Sequence, residues 1–156
     1  MAITQLQEFP EARFGHVGPL LVSIWYSELS LRTIDALDAH QKTLAERYGK
    51  VTMISVVSSA TKNPSPELRE ELKRRAPNQE SMRIGNIVVV NARGLGAIIA
   101  RTFLAALSLV QSGLSVAQDI DDAAARAKAI PGQHPEVVAS TTLAADLKAF
   151  DALPAP

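Results

Sequence analysis

Val51-Thr52-Met53-Ile54-Ser55-Val56-Val57 is the stretch on which the fold turns. It is mostly β-branched and apolar, and a helical pattern stands on each side of it, so it reads as a buried strand between two crossovers. Ahead of it, Ile34, Leu37, Leu44, Ala45 and Tyr48 share one helical stripe that starts near Thr33, and Gly49 follows as a left-handed terminator. Behind it, Ser65-Pro66-Glu67 supplies a cap, a first-turn proline and an acidic first turn. The helix that follows is expected to stop before Pro77 and to be mostly solvated, with Glu70–Arg74 and Glu71–Arg75 as i,i+4 pairs. A strand enclosed by helices in this way is the repeating unit of an α/β domain with a parallel sheet.

Further strands lie on either side of that unit. Residues 20–26 and 87–90 read as strands, the second so uniformly apolar that both its faces should be covered, and residues 115–118 make a weaker one. Arg13-Phe14-Gly15-His16-Val17 followed by Gly18-Pro19 reads as a short strand and tight turn, which opens the domain with a β-hairpin. A third helix is expected from near Gly94 to about Gln111, with Gly113 just past its end, and Asp121 and Asp122 open an alanine-rich fourth. The order is β-β-α-β-α-β-α-β-α, a single α/β domain over residues 1–130 with its sheet flanked by helices. Residues 131–156 read as a tail. Pro131-Gly132-Gln133-His134-Pro135 is its linker, and Leu143, Leu147 and Phe150 give it a weak helix. It is expected to dock loosely, or on a neighbouring subunit, and to be dispensable for folding.

Composition bounds the chemistry. The 156 residues carry 16 basic and 16 acidic side chains, and neither half has a charge excess above one. That balance speaks against nucleic acid or an anionic membrane as the main partner, since both require a basic footprint. With no cysteine, disulfides, thiolate metal sites and a cysteine nucleophile are excluded, and a reducing cytoplasm is the expected address. No secretory signal is visible in Met-Ala-Ile-Thr-Gln-Leu-Gln-Glu. His16, His40 and His134 have no partners at metal-ligand spacing, and no Gly-x-Ser-x-Gly or defensible Ser-His-Asp order occurs. No catalytic residue, metal or cofactor is therefore assigned, and an enzyme is the less favoured reading.

Two loops at strand C-terminal ends carry the candidate contacts. Asn91-Ala92-Arg93-Gly94-Leu95-Gly96 joins a Val-rich strand to a helix, where backbone N–H groups could hold an anion with Arg93 adding charge. It has some likeness to a dinucleotide turn, with Asp119 ending the next strand where a ribose-binding acid would sit. The turn's first glycine is missing, and Ile99 replaces its third small residue. The other loop runs from Ser58 through Ser59 to Pro66, where hydroxyls precede a helix. Ser58, Ser59, Arg93, Gly94 and Gly96 are accordingly the candidate partner or ligand contacts.

The element order, the opening hairpin and the apolar helix after the Val-rich strand together resemble the STAS-like fold of anti-sigma-factor antagonists and their relatives. The resemblance covers roughly residues 14–128 and rests on topology and hydrophobic pattern. It implies a regulatory or scaffolding domain that binds protein partners, or small ligands, with the loop and helix near Ser58 and Ser59. The family's phosphorylatable Asp-Ser-Ser-Gly turn is absent; Ser58-Ser59 lacks both the preceding acid and the following glycine. A homodimer is also expected. From Gly94 to Val110 the only charge is Arg101, and Gly94, Ala97, Arg101, Ala105 and Ser108 form a stripe of mostly small residues that a two-fold axis could bring against its own copy. The competing reading is a phosphate- or nucleotide-binding protein, or an enzyme, that uses the turn from Asn91 to Gly96.

Overall fold

A computed structural model of the chain describes residues 2–58, 64–91 and 113–156. Among the described residues six strands form one mixed sheet whose spatial order is the chain order: β1 (Thr4–Glu8), β2 (Ala12–Val17), β3 (Leu20–Trp25), β4 (Val51–Ser58), β5 (Arg83–Asn91) and β6 (Leu114–Ala117). The first three strands pair antiparallel, and β3 through β6 pair parallel. The described helices are α1 (Leu31–Tyr48), α2 (Pro66–Ser81), α3 (Ile120–Ala129), α4 (Pro135–Ala139) and α5 (Leu143–Asp151). The α/β class is thus the one the strand and helix patterns indicate. The third helix expected from the sequence lies outside the described residues.

The opening hairpin closes through Gly18 and Pro19 between the paired Val17 and Leu20, with Gly18 at a φ of 53° that suits glycine. The sequence pattern gave no sign of β1. Thr4-Gln5-Leu6-Gln7-Glu8 is mostly polar because it forms the sheet margin, and its ladder is broken by a register shift between Gln5 and Gln7. Polarity and irregularity of this kind protect a margin from further strand pairing.

Each face of the sheet has its own core. On one face Phe14, Leu21, Trp25 and Met53 pack with Ile34, Leu37 and Leu44 of α1 and with the half-buried Leu72 of α2. On the other, Val22, Ile24, Ile54, Val56, Ile87 and Val89 meet Ala123, Ala124 and Ala127 of α3. Val137, Leu143, Leu147 and Phe150 complete that second core. The loosely docked tail expected from the sequence is corrected here. Leu143, Leu147 and Phe150 are spaced to share one face of two helical turns, and the small side chains of α3 leave room for that face against the sheet.

Helix α2 also departs from expectation, since it continues through Pro77 to Ser81. Pro77 removes the N–H that Lys73 would have received, but both residues are exposed, so solvent can reach the freed carbonyl. Glu71 bonds Arg75 at 2.8 Å as anticipated, whereas Glu70 meets Lys73 at 3.1 Å instead of Arg74. Leu68 is the one buried residue of this helix, in keeping with a solvated element.

Candidate functional site

The parallel register brings the candidate loops to one edge. Trp25 pairs with Val57, Ser58 with Asn91, and Val89 with Ala117, so the chain leaves β3, β4, β5 and β6 from the same end of the sheet. Ser58 and Asn91 stand side by side as the last residues of their strands. The two loops that the sequence singles out therefore depart from adjacent positions. Of the candidate contacts and interface residues, Ser59, Arg93, Gly94, Gly96, Ala97, Arg101, Ala105 and Ser108 lie outside the described residues.

A buried polar chain fixes the strand ends beneath this edge. The Trp25 indole Nε1 donates to Ser23 Oγ at 3.0 Å, and Ser23 Oγ donates to Ser55 Oγ at 2.9 Å. Ser23 is fully buried and Trp25 nearly so. The chain ties β3 to β4 on the face that carries α1 and α2, and satisfies polar groups that would otherwise be costly inside a core. Composition and spacing hold no trace of it, because it depends on the register of strands 32 positions apart.

Three described helices start from the same edge: α1, capped by Ser30, and the following two with their own caps in place. The hydroxyl of Ser65 accepts from the Leu68 amide at 3.2 Å at the start of α2. At α3, Asp119 accepts from the Asp122 amide at 2.8 Å, while Asp122 accepts from the Gln118 amide at 2.9 Å and from Arg126 Nε at 3.0 Å. The Gln118 amide, followed by Arg126, holds the Asp122 carboxyl below its usual range. Asp119 is thus engaged in capping its own helix, which competes with any ribose-binding role.

Strand order decides what this edge can hold. In an open α/β sheet, ligand crevices form where the strand order reverses and successive crossovers fall on opposite faces. From β3 to β6 the order never reverses, and α1 and α2 contribute to the same core. The described edge is a row of loops without a switch-point crevice.

Elsewhere a groove of about 490 Å³ runs between α1 and α2, lined by Asp38, Lys42, Arg74, Arg75, Asn78 and Met82 among others. Its charged groups are strongly committed to one another. Arg75 donates to Glu71 at 2.8 Å, Asp35 at 2.7 Å and Asp38 at 3.0 Å, and Gln79 Nε2 donates to Asp38 at 2.7 Å. Bonds from Arg74 and Arg75 depress the Glu71 carboxyl to about 2, and the same carboxylate leads the groups that raise Arg75. Behind the groove, Arg83 Nε donates to Gln41 Oε1 at 2.6 Å, and Gln41 Nε2 donates to the Gln79 carbonyl at 3.1 Å. Burial lowers the Arg83 guanidinium to about 10, so it stays charged at neutral pH. This arrangement holds α2 against α1.

Each histidine has a local partner: His16 Nδ1 lies 3.2 Å from the Gly18 carbonyl, His40 Nε2 lies 2.9 Å from Gln7 Oε1, and His134 Nε2 lies 2.7 Å from the Lys50 carbonyl. Among the described residues no group of three or more His, Asp or Glu side chains is placed to hold a metal, and no helix is long and apolar enough to cross a membrane.

No family model matches the chain, and neither a curated protein nor a solved structure does.

Proposed function

We propose that the chain is a non-catalytic regulatory or scaffolding domain of STAS-like architecture that works by association with a protein partner and with a second copy of itself. The observation that carries this reading is the uninterrupted strand order of the sheet. Among the described residues it sets Ser58 and Asn91 side by side with no switch-point crevice between their strands, and adjacent loop starts of this kind suit a protein surface better than a small molecule that must be enclosed. The opening antiparallel hairpin and the parallel strands that follow support the likeness in architecture. The balanced charge of the chain supports a partner other than nucleic acid.

Self-association is assigned to the small-residue stripe of Gly94, Ala97, Arg101, Ala105 and Ser108. Sedimentation at tens of micromolar tests it. The wild type should run as a dimer and Ala105→Glu as a folded monomer, because the substitution places an uncompensated carboxylate from each subunit in the contact. A wild-type monomer sinks the self-association. The ligand-binding alternative is tested by melting the wild type with nucleotides and phosphorylated metabolites. A ligand at one hundred times its dissociation constant stabilises by about 2.7 kcal/mol, so a clear shift would replace partner binding with a ligand site at the Asn91–Gly96 turn.

A further inference from the structure

We infer that residues 152–154 form a strap latched by Arg13, and that this latch governs whether α5 stays seated on the sheet. Arg13 lies on β2 with its side chain only 4% exposed. Its Nε donates to Glu8 Oε1 at 2.8 Å and its Nη2 bonds the same oxygen, which compensates the buried charge from the adjacent strand. Two further hydrogen bonds reach across the chain: Nη1 donates to the Leu153 carbonyl at 3.3 Å and Nη2 to the Pro154 carbonyl. The guanidinium carbon also lies 5.9 Å from the centroid of the Phe150 ring. One buried cation thus joins the margin of the sheet, the last turn of α5 and the segment beyond it.

Otherwise the strap is tied back to α5 itself, the Ala152 amide donating to the Lys148 carbonyl at 2.9 Å and the Leu153 amide to the Phe150 carbonyl at 3.4 Å. Residues 152–156 are all exposed, and Leu153 is 43% exposed, so no side chain there is buried in the core. An exposed segment past a helix end normally frays. A buried guanidinium is an unusual partner for it, because hydrogen bonds to a charged donor are the stronger ones and their loss leaves that donor to be satisfied again. The site beneath is shaped for what it receives: a Cβ added at Gly15 would come within 2.8 Å of Phe150 Cζ, so the ring rests directly on the β2 backbone. Release of the strap removes two acceptors from Arg13 and leaves α5 held by its apolar face and by the exposed ion pair from Lys148 to Asp121 of α3 at 2.8 Å. A nine-residue helix depends on its tertiary contacts, so loss of some of them makes the end of the second core a local opening equilibrium that the latch biases. The inference is independent of the functional reading above.

Amide hydrogen exchange tests it on the full chain, on a chain ending at Asp151 and on Arg13→Lys. The shortened chain loses only exposed residues, so its core is intact, whereas the lysine variant keeps a cation beside Glu8 without the planar fork. In both, the amides of residues 143–151 should exchange about tenfold faster than in the wild type while those of β3, β4 and β5 change by less than about twofold, the mark of local opening. Unchanged exchange of α5 in the shortened chain overturns the latch. So does an equal acceleration throughout the sheet, which would make residues 152–154 a general stabiliser.

Discussion

The two faces of the sheet are covered by different physical means. On the first, α1 is an 18-residue helix opened by a capping box between Ser30 and Thr33, and its buried apolar stripe is interrupted by the fully buried Gln41. Gln41 with the Gln79 carbonyl, and Arg75 with Asp35 and Asp38, fix α2 beside it. On the second face, α3, α4 and α5 have ten, five and nine residues, and they come close through small side chains and glycine recesses. A Cβ at Gly85 would lie 2.3 Å from Ile130 Cδ1, as one at Gly15 would crowd Phe150. Long helices can be registered by polar contacts along their flanks. Short ones have too little length to stand without close packing, so on the second face the packing must carry the structure.

The strongest way to break the comparison is to remove residues 131–156. That deletion takes Val137, Leu143, Leu147 and Phe150 from the second core, all at most 4% exposed. At about 1.5–3 kcal/mol for each of the four buried side chains, the loss is about 6–12 kcal/mol, as large as the whole stability of an ordinary domain. The cooperative thermal transition should disappear from circular dichroism, with apolar surface exposed to a fluorescent dye. A sharp transition close to that of the full chain would show that the second face can dispense with α4 and α5.

Gly15→Ala is a finer probe of the same face. The added Cβ would meet Ile3 Cγ2 at 2.7 Å, Phe150 Cζ at 2.8 Å and the Thr4 backbone oxygen at 2.9 Å. The two side chains can give way, but the Thr4 oxygen belongs to the β1 backbone that pairs with β2, so the strand or α5 must shift. Overpacking of this kind costs about 2 kcal/mol. Chemical denaturation should show that loss, and a variant as stable as wild type would mean that α5 rides loosely over β2.

Legibility in the sequence follows the same division. The order around β4 is local information, since β-branched runs mark strands while Gly49 and Ser65-Pro66 mark helix ends where α1 stops and α2 starts. Packing depth is not local. Leu143, Leu147 and Phe150 display their shared face to any reader, but its close fit depends on Gly15 and on the alanines of α3, which lie far along the chain. Gln41 was legible in principle, since it falls between Leu37 and Leu44 on the α1 stripe, where a polar residue signals a buried partner. Arg83 gave no such sign within a basic and acidic stretch. At the candidate site, the loops could be recognised because they follow strands, whereas the pairing of Ser58 with Asn91 and the Trp25–Ser23–Ser55 chain depend on strand register.

The smallest expected effect belongs to the first face and is a pH dependence. His40 on α1 is half-buried against β1 and β2, with Nε2 bonded to Gln7 and its ring 6.3 Å from that of Phe14. Burial, and secondarily the charge of His16, lowers its pKa below the ordinary 6.5. The folded chain therefore takes up this proton less readily than the unfolded chain. The stability associated with neutral His40 is complete above 6.5 and is lost as pH falls from there toward the folded value. Thermal melts of wild type and His40→Gln between pH 7.5 and 5 isolate it, because groups that titrate alike in both proteins cancel in the difference. The wild type should lose ground to the variant as pH falls, by less than about 3 °C in the melting midpoint for a chain of this size. A difference that stays constant would mean that His40 is as well solvated folded as unfolded, and one that moves the other way would place an unrecognised anion beside it.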